Sequence, residues 1–120
     1  MWSKLIIMKQ EMLDIIERKI GTCREFNIAE TYALLKSEGP RFWSWGGQNF
    51  NNYKNKAFIF KVNGHHHKGI VIIFLNSLDL YNVYLIEKDG TLKEELIDLY
   101  YDRLFDAIDV KVEKIAAYTR

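Results

Sequence analysis

The chain has 120 residues, a net charge of +1 and 48% hydrophobic residues, which is the composition of one folded domain. The apolar content excludes intrinsic disorder, and a single proline excludes collagen-like and proline-rich chains. The lone cysteine, Cys23, cannot form an internal disulfide, and no apolar run approaches the ~20 residues of a membrane span. We therefore expect a single domain over 1–120, in the cytoplasm and without a membrane partner.

The first predicted element is a helix over 3–20. Its apolar residues fall three and four positions apart, which is the spacing of one helix face. Gly21 can end this helix in a left-handed turn. Met8 and Met12 are alternative initiators, so residues 1–7 are expected to be a poorly ordered or non-native start.

A second, shorter helix is predicted over 28–37. Asn27 is a good N-cap residue, and Glu30 occupies the third helical position, where a capping-box partner belongs. The dipeptide Gly39-Pro40 then ends the helix, because proline cannot continue it.

Short strands follow, separated by turn signals. The predicted strands cover 41–45, 57–62, 67–75, 80–88 and 91–97. The turns between the last four are expected at Asn63-Gly64, at 76–79 and at Asp89-Gly90. The Asn-rich stretch after residue 47 is predicted to be a loop. These signals predict an antiparallel meander of four or five strands.

The clearest helix is predicted over 99–117, with Asp98 as its N-cap. Its apolar stripe consists of Tyr101, Leu104, Phe105, Ile108, Val112 and Ile115. The acidic side chains of Asp102, Asp106 and Asp109 are expected on its solvated face. The complete prediction is an α+β fold, with two N-terminal helices, an antiparallel four- to five-stranded meander and a C-terminal amphipathic helix packed on the sheet.

Both faces of the predicted sheet are apolar. With even-length turns, one face collects Ile59, Ile72, Phe74, Val83 and Leu85, and the other collects Phe58, Phe60, Ile73, Tyr84 and Ile86. An antiparallel sheet with one wet side should alternate cleanly, and this one does not. Either helices cover both faces, or the chain forms a homodimer through a sheet face or an edge strand.

Charge divides the chain into a basic middle and an acidic later part. Residues 41–78 carry five bases and no acid, whereas 79–109 carry nine acids and three bases. Bases interleaved with aromatic rings suit single-stranded nucleic acid, since cations contact phosphates and rings stack on bases. The candidate binding residues are Arg41, Trp43, Trp45, Asn52, Tyr53, Lys54, Lys56, His65 and His67. Tryptophan is also a common core residue, so a structural role for the rings stays open.

Three consecutive histidines follow the Asn63-Gly64 turn signal. His65 and His67 would share one side of a strand, but a zinc site needs a third or fourth ligand and none is identifiable nearby. We therefore expect an exposed turn, no bound metal and no cofactor. No catalytic motif is present, and a metal-free nuclease with a histidine base is the least favoured reading of these residues.

Four segments resemble a family of small uncharacterised proteins of mobile genetic elements and prophages of gut Bacteroidetes. They are FWSWG at 42–46, KVNGHHHKGIVII at 61–73, LNSLDLYNVY at 75–84 and DLYYDRLFDAID at 98–109. The resemblance implies that the aromatic and histidine motifs belong to one shared fold, and it assigns no catalytic or binding residue. The expected function is non-catalytic binding, with the chain itself or another protein as partner. The alternative is a nucleic-acid-binding accessory protein of a mobile element that uses 41–68.

Overall fold

A computed structural model describes residues 14, 16–19, 21 and 23–113 of the chain. Residues 14 and 16–19 are helical, while the rest of the predicted first helix and the start at 1–7 lie outside the described residues. The elements that follow are α1 (Ile28–Lys36), α2 (Pro40–Trp43), β1 (Gln48–Tyr53), β2 (Ala57–Asn63), β3 (Lys68–Leu75), β4 (Tyr81–Glu87), β5 (Leu92–Leu99) and α3 (Tyr101–Val112).

Within this part of the chain, the five strands form one antiparallel sheet in the order β1-β2-β3-β4-β5. Each strand pairs with its neighbour in sequence, which is the topology of a meander. The α+β class and the antiparallel sheet are therefore confirmed. The predicted cap of α1 is also confirmed, because Asn27 Oδ1 accepts a hydrogen bond from the Glu30 N–H at 3.1 Å.

The predicted strand over 41–45 is wrong, because this segment forms the helical turn α2. Gly39 enters it with a φ of 63°, and Pro40 fits the first helical position. Phe42 and Trp45 are three residues apart and both are buried, a spacing that suits a helical turn better than a strand. The first strand is instead β1, in the Asn-rich stretch predicted as a loop, where pairing with β2 overrides the low strand propensity of asparagine.

The turn between β3 and β4 is one residue longer than predicted, and this reverses the faces assigned to β4. Leu75 pairs with Tyr81, so five residues connect the strands instead of four. Val83 consequently lies opposite Ile73, and Tyr84 lies opposite Ile72. A slip of one residue moves every side chain of a strand to the other face.

The turn between β2 and β3 is also longer than the predicted two-residue hairpin. Asn63 pairs with Lys68, so residues 64–67 make the connection, and the Gly64 N–H donates to the His67 carbonyl at 3.0 Å. The change is an even number of residues, so the predicted faces of β2 and β3 survive it. The expectation of a fully exposed histidine turn is wrong for His67, which is buried.

The last helix begins later than predicted. β5 continues to Leu99, and α3 has Tyr100 at its N-cap without a side-chain bond. Asp98 is not the cap, because it has a φ of 57° and its carboxylate accepts a hydrogen bond from Asn76. Tyr101 is exposed at the first position of the helix, so its predicted place in the apolar stripe is wrong. The predicted residues 114–117 lie outside the described residues.

Helices contact both faces of the sheet. One face packs with α1, α2 and α3 in a cluster that includes Leu35, Phe42, Trp45, Phe58, Phe60, Val71, Ile73, Val83, Leu85, Leu104, Phe105 and Ile108. On the other face, Ile16 of the N-terminal helix packs in a cluster with Ile59, Ile72, Phe74, Tyr84 and Ile86. These residues are buried within one chain, so the apolar character of both faces is explained without a second molecule on either.

Candidate functional site

The aromatic residues around α2 form core packing. Trp45 has no exposed surface, and its ring stacks on Phe105 with a centroid separation of 4.7 Å. Its indole Nε1–H donates to the Asp109 carboxylate at 2.8 Å. Asp109 is buried too, so the prediction that it belongs to a solvated helix face is wrong. A buried indole N–H needs a hydrogen-bond acceptor. A tryptophan that is expected in the core therefore indicates that a polar side chain, here the carboxylate of Asp109, packs against it.

Arg41 and Trp43 lie on the outer side of α2. The Arg41 guanidinium bonds Glu38 at 2.6 Å and Asp106 at 3.4 Å, and it also lies over the Phe105 ring. The hydrogen bond that Arg41 donates to Glu38 raises the pKa of Arg41 above its usual value, so this cation stays charged. Trp43 is 56% exposed, which leaves one ring of the predicted platform open to solvent.

Asn52, Tyr53, Lys54 and Lys56 lie around the turn between β1 and β2. Asn52 is exposed and binds Asn55, while Lys56 is half-buried. The buried Tyr53 hydroxyl donates to Glu17, and Lys54 forms an ion pair with the same carboxylate at 3.6 Å. Burial and this acid raise the pKa of Tyr53 to about 12. The acid that balances this part of the basic middle therefore comes from the N-terminal helix.

The histidine turn lies at the end of α3. His65 Nδ1 is 3.2 Å from the Glu113 carboxylate, while His67 is 2% exposed with its Nε2 3.2 Å from the Ile70 carbonyl. Burial is the main cause that lowers the pKa of His67 below its usual value. An imidazole held in this way is neutral near pH 7.

An open cleft of about 690 Å³ separates the histidine turn from the β4–β5 turn. Lys68, Lys88 and Lys93 are its cations, and Glu87 and Asp89 are its acids. The charges are mixed and the cleft is open to solvent. Among the described residues, no group of three or more His, Cys, Asp or Glu side chains is placed to hold a metal ion.

The nine predicted binding residues therefore fall in three separate places: beside α2, at the β1–β2 turn and at the end of α3. Trp45, Tyr53 and His67 are buried, and Arg41, Lys54 and His65 have acidic partners. One backbone hydrogen bond, from the Asn63 N–H to the Trp45 carbonyl at 2.8 Å, joins the end of α2 to the start of the histidine turn.

The structure presents a different exposed surface, which the sequence reasoning missed. It comprises Leu78, Ile97, Tyr100 and Tyr101, which we call the tyrosine patch and which are each 58–69% exposed. The patch lies where β5 meets α3. Asn76 donates to Asp98 at 2.9 Å and to Asn82 at 3.0 Å, so the turn that carries Leu78 is held against the end of β5.

No family model, curated protein or solved structure matches the chain. In the part of the chain that the structure describes, no helix has the length and apolar character needed to cross a membrane. Its function is therefore inferred from contacts, burial and charge within this molecule.

Proposed function

We propose that this chain is a small, non-catalytic binding protein of the cytoplasm that self-associates through the tyrosine patch. The observation that carries the proposal is the exposure of four large apolar side chains at one end of the sheet. Large apolar side chains exposed near one end of a sheet are a common feature of interaction sites, and tyrosine contributes large contact area at low entropic cost.

The charges around the patch favour a second copy as the partner. Arg24 and Asp79 form an exposed ion pair beside Leu78, and Asp102 and Arg103 are exposed in the first turn of α3. A two-fold interface places one patch against itself, so a rim with both signs of charge is complementary to its own copy.

Pairing through the edge strands has less support. β1 contains a register shift between Gln48 and Asn51, and β5 contains two such irregularities. β5 also carries Lys93, Glu94 and Glu95. Bulges and charges on an edge strand disfavour sheet extension between molecules.

Light scattering coupled to size exclusion, across micromolar concentrations, tests this proposal with two matched variants. Tyr100→Ser removes an exposed ring and places a good N-cap residue before α3, so the helix is preserved. We expect the dimer to weaken about 30-fold or more, as for a hot-spot tyrosine worth ~2 kcal/mol.

The control is Val110→Ser, which removes a 51% exposed apolar side chain. It lies nine residues after Tyr101, or ~13 Å along the helix, and should leave the dimer unchanged. A dimer that survives Tyr100→Ser, or that Val110→Ser weakens equally, would contradict the proposed interface.

Nucleic-acid binding by 41–68, as an accessory protein of a mobile element, stays an alternative proposal. The exposed Trp43 ring and the excess of bases over acids within the segment support it, and the burial of Trp45 and Tyr53 weighs against a ring platform. Filter binding of single-stranded oligonucleotides over a salt series separates the two: a steep salt dependence favours this alternative. A metal-free nuclease has the least support, because His67 is buried and His65 is paired with Glu113.

A further inference from the structure

The β2–β3 turn closes over the C-terminal end of α3. The His66 N–H donates to the Val112 carbonyl at 2.7 Å, and the His65 N–H donates to the Glu113 carboxylate at 2.9 Å. A Cβ atom on Gly64 would lie 2.3 Å from the Val112 carbonyl oxygen, so the turn contacts the helix too closely for a side chain there. We call these contacts the clasp. They satisfy groups that a helix end otherwise leaves without partners.

His67 anchors the clasp in the interior. Its Nε2 lies within hydrogen-bond distance of the Ile70 carbonyl, which assigns the proton to this nitrogen. Its Nδ1 is buried and has no hydrogen-bond partner among the described residues. The ring lies over Gly69, where a Cβ would be 3.1 Å from the ring carbon Cε1. The closed turn therefore accommodates a neutral imidazole. A proton on Nδ1 would have no hydrogen-bond acceptor among the described residues.

The charges that face the imidazole do not stabilise its protonated form enough to offset the cost of burial. Lys93 on β5 opposes a positive charge, and Glu87 on β4 favours one. The turns beside it add further charged or titratable groups, namely His65, His66, Lys68, Lys88 and Asp89. Burial outweighs the favourable contributions, and the pKa of His67 falls below 6.5 as a result.

We propose that the clasp is a pH-sensitive device. Protonation of His67 displaces residues 64–67 from their packed position and frees the end of α3. The closed clasp holds the imidazole neutral, and the open clasp lets it take a proton in water. Closure is therefore fully favoured above pH ~6.5 and weakens as pH falls below that value.

Amide hydrogen exchange at His66 tests the device directly. Its protection factor, which corrects for intrinsic exchange, reports the opening of the bond to Val112. Between pH 7.5 and 5.5 we expect protection to fall in the unmodified protein by up to about tenfold, the limit for one proton taken up only on opening. His66→Gln, a change in an exposed side chain of the same turn, should show the same fall.

His67→Phe, which cannot be protonated, should abolish the fall. Gly64→Ala should leave the amide poorly protected at both pH values, because it forces a methyl group against Val112. Equal falls in His67→Phe and the unmodified protein, or no fall in the latter, would overturn the proposal. If His67→Phe does not fold, the ring signals of the unmodified protein decide: an imidazole that titrates at 6.5 in the closed clasp also overturns it.

Discussion

Removal of the Asp109 carboxylate should loosen the contact between α2 and α3. Asp109→Ala leaves the indole N–H of Trp45 without its acceptor, at a position with no exposed surface. A hydrogen bond to a charged group contributes ~1.5–3 kcal/mol, and a buried donor left unpaired keeps its full desolvation cost. We therefore expect the free energy of unfolding to fall by about 2–3 kcal/mol.

Asp106→Ala is the matched control, one turn earlier on the same helix. Asp106 bonds Arg41 at 3.4 Å, but both side chains are more than half exposed, so the loss should be ~0–1 kcal/mol. The two substitutions make the same change in helix propensity, which cancels when they are compared. Asp109→Asn keeps an acceptor oxygen, so its loss in the free energy of unfolding should lie between those of the two alanine variants.

Urea denaturation followed by circular dichroism measures these differences as shifts in the midpoint at constant slope. A cost below 0.5 kcal/mol for Asp109→Ala, or equal costs for Asp109→Ala and Asp106→Ala, would refute the role given to this buried bond.

Two further predictions concern stability and titration. Asn27→Ala should destabilise the protein by ~1 kcal/mol in the same urea assay, because it removes the cap of α1, whereas Asn27→Ser should retain most of the stability. The pKa of Tyr53 is raised from 10 to about 12 in the folded protein, so between these values only the unfolded chain loses the proton. The free energy of unfolding should therefore fall as pH rises from 10 towards 12. Burial also raises the pKa of Tyr84, so an ultraviolet titration should show late-ionising phenols, of which Tyr53→Phe removes one; ionisation of every tyrosine near pH 10 would contradict this.

Local signals predicted much of the fold. The Asn27 cap, the apolar spacing of the last helix and the turn at Asp89-Gly90 act over a few residues, and the structure places elements where they indicate. The order of helices and strands follows from such signals, because each depends mainly on its own segment.

Turn lengths and helix entries were harder to predict, because tertiary contacts decide them. The β3–β4 turn takes a fifth residue, and the Asn76 side chain bonds the amides of Leu78 and Leu80 inside it. That single residue reverses the face of β4. The β2–β3 turn likewise extends to His67 because it docks on α3, a partner that no local signal reveals.

The candidate surface illustrates the same limit. The segment 41–68 is basic and aromatic, but composition does not tell which rings enter the core. Trp45 is buried because α3 supplies Asp109 from 64 residues away. Tyr100 and Tyr101 are exposed because α3 begins beyond the sheet, whereas helical periodicity had assigned Tyr101 to the buried stripe.

Self-association through the tyrosine patch is the central claim, and sedimentation equilibrium of the unmodified protein tests it most directly. The account predicts a mass of about 28 kDa at micromolar concentration, which is twice the 14.2 kDa of one chain. It also predicts reversible dissociation on dilution and a return to 14.2 kDa in Tyr100→Ser at the same concentration. A mass of 14.2 kDa for the unmodified protein across the whole micromolar range would contradict it.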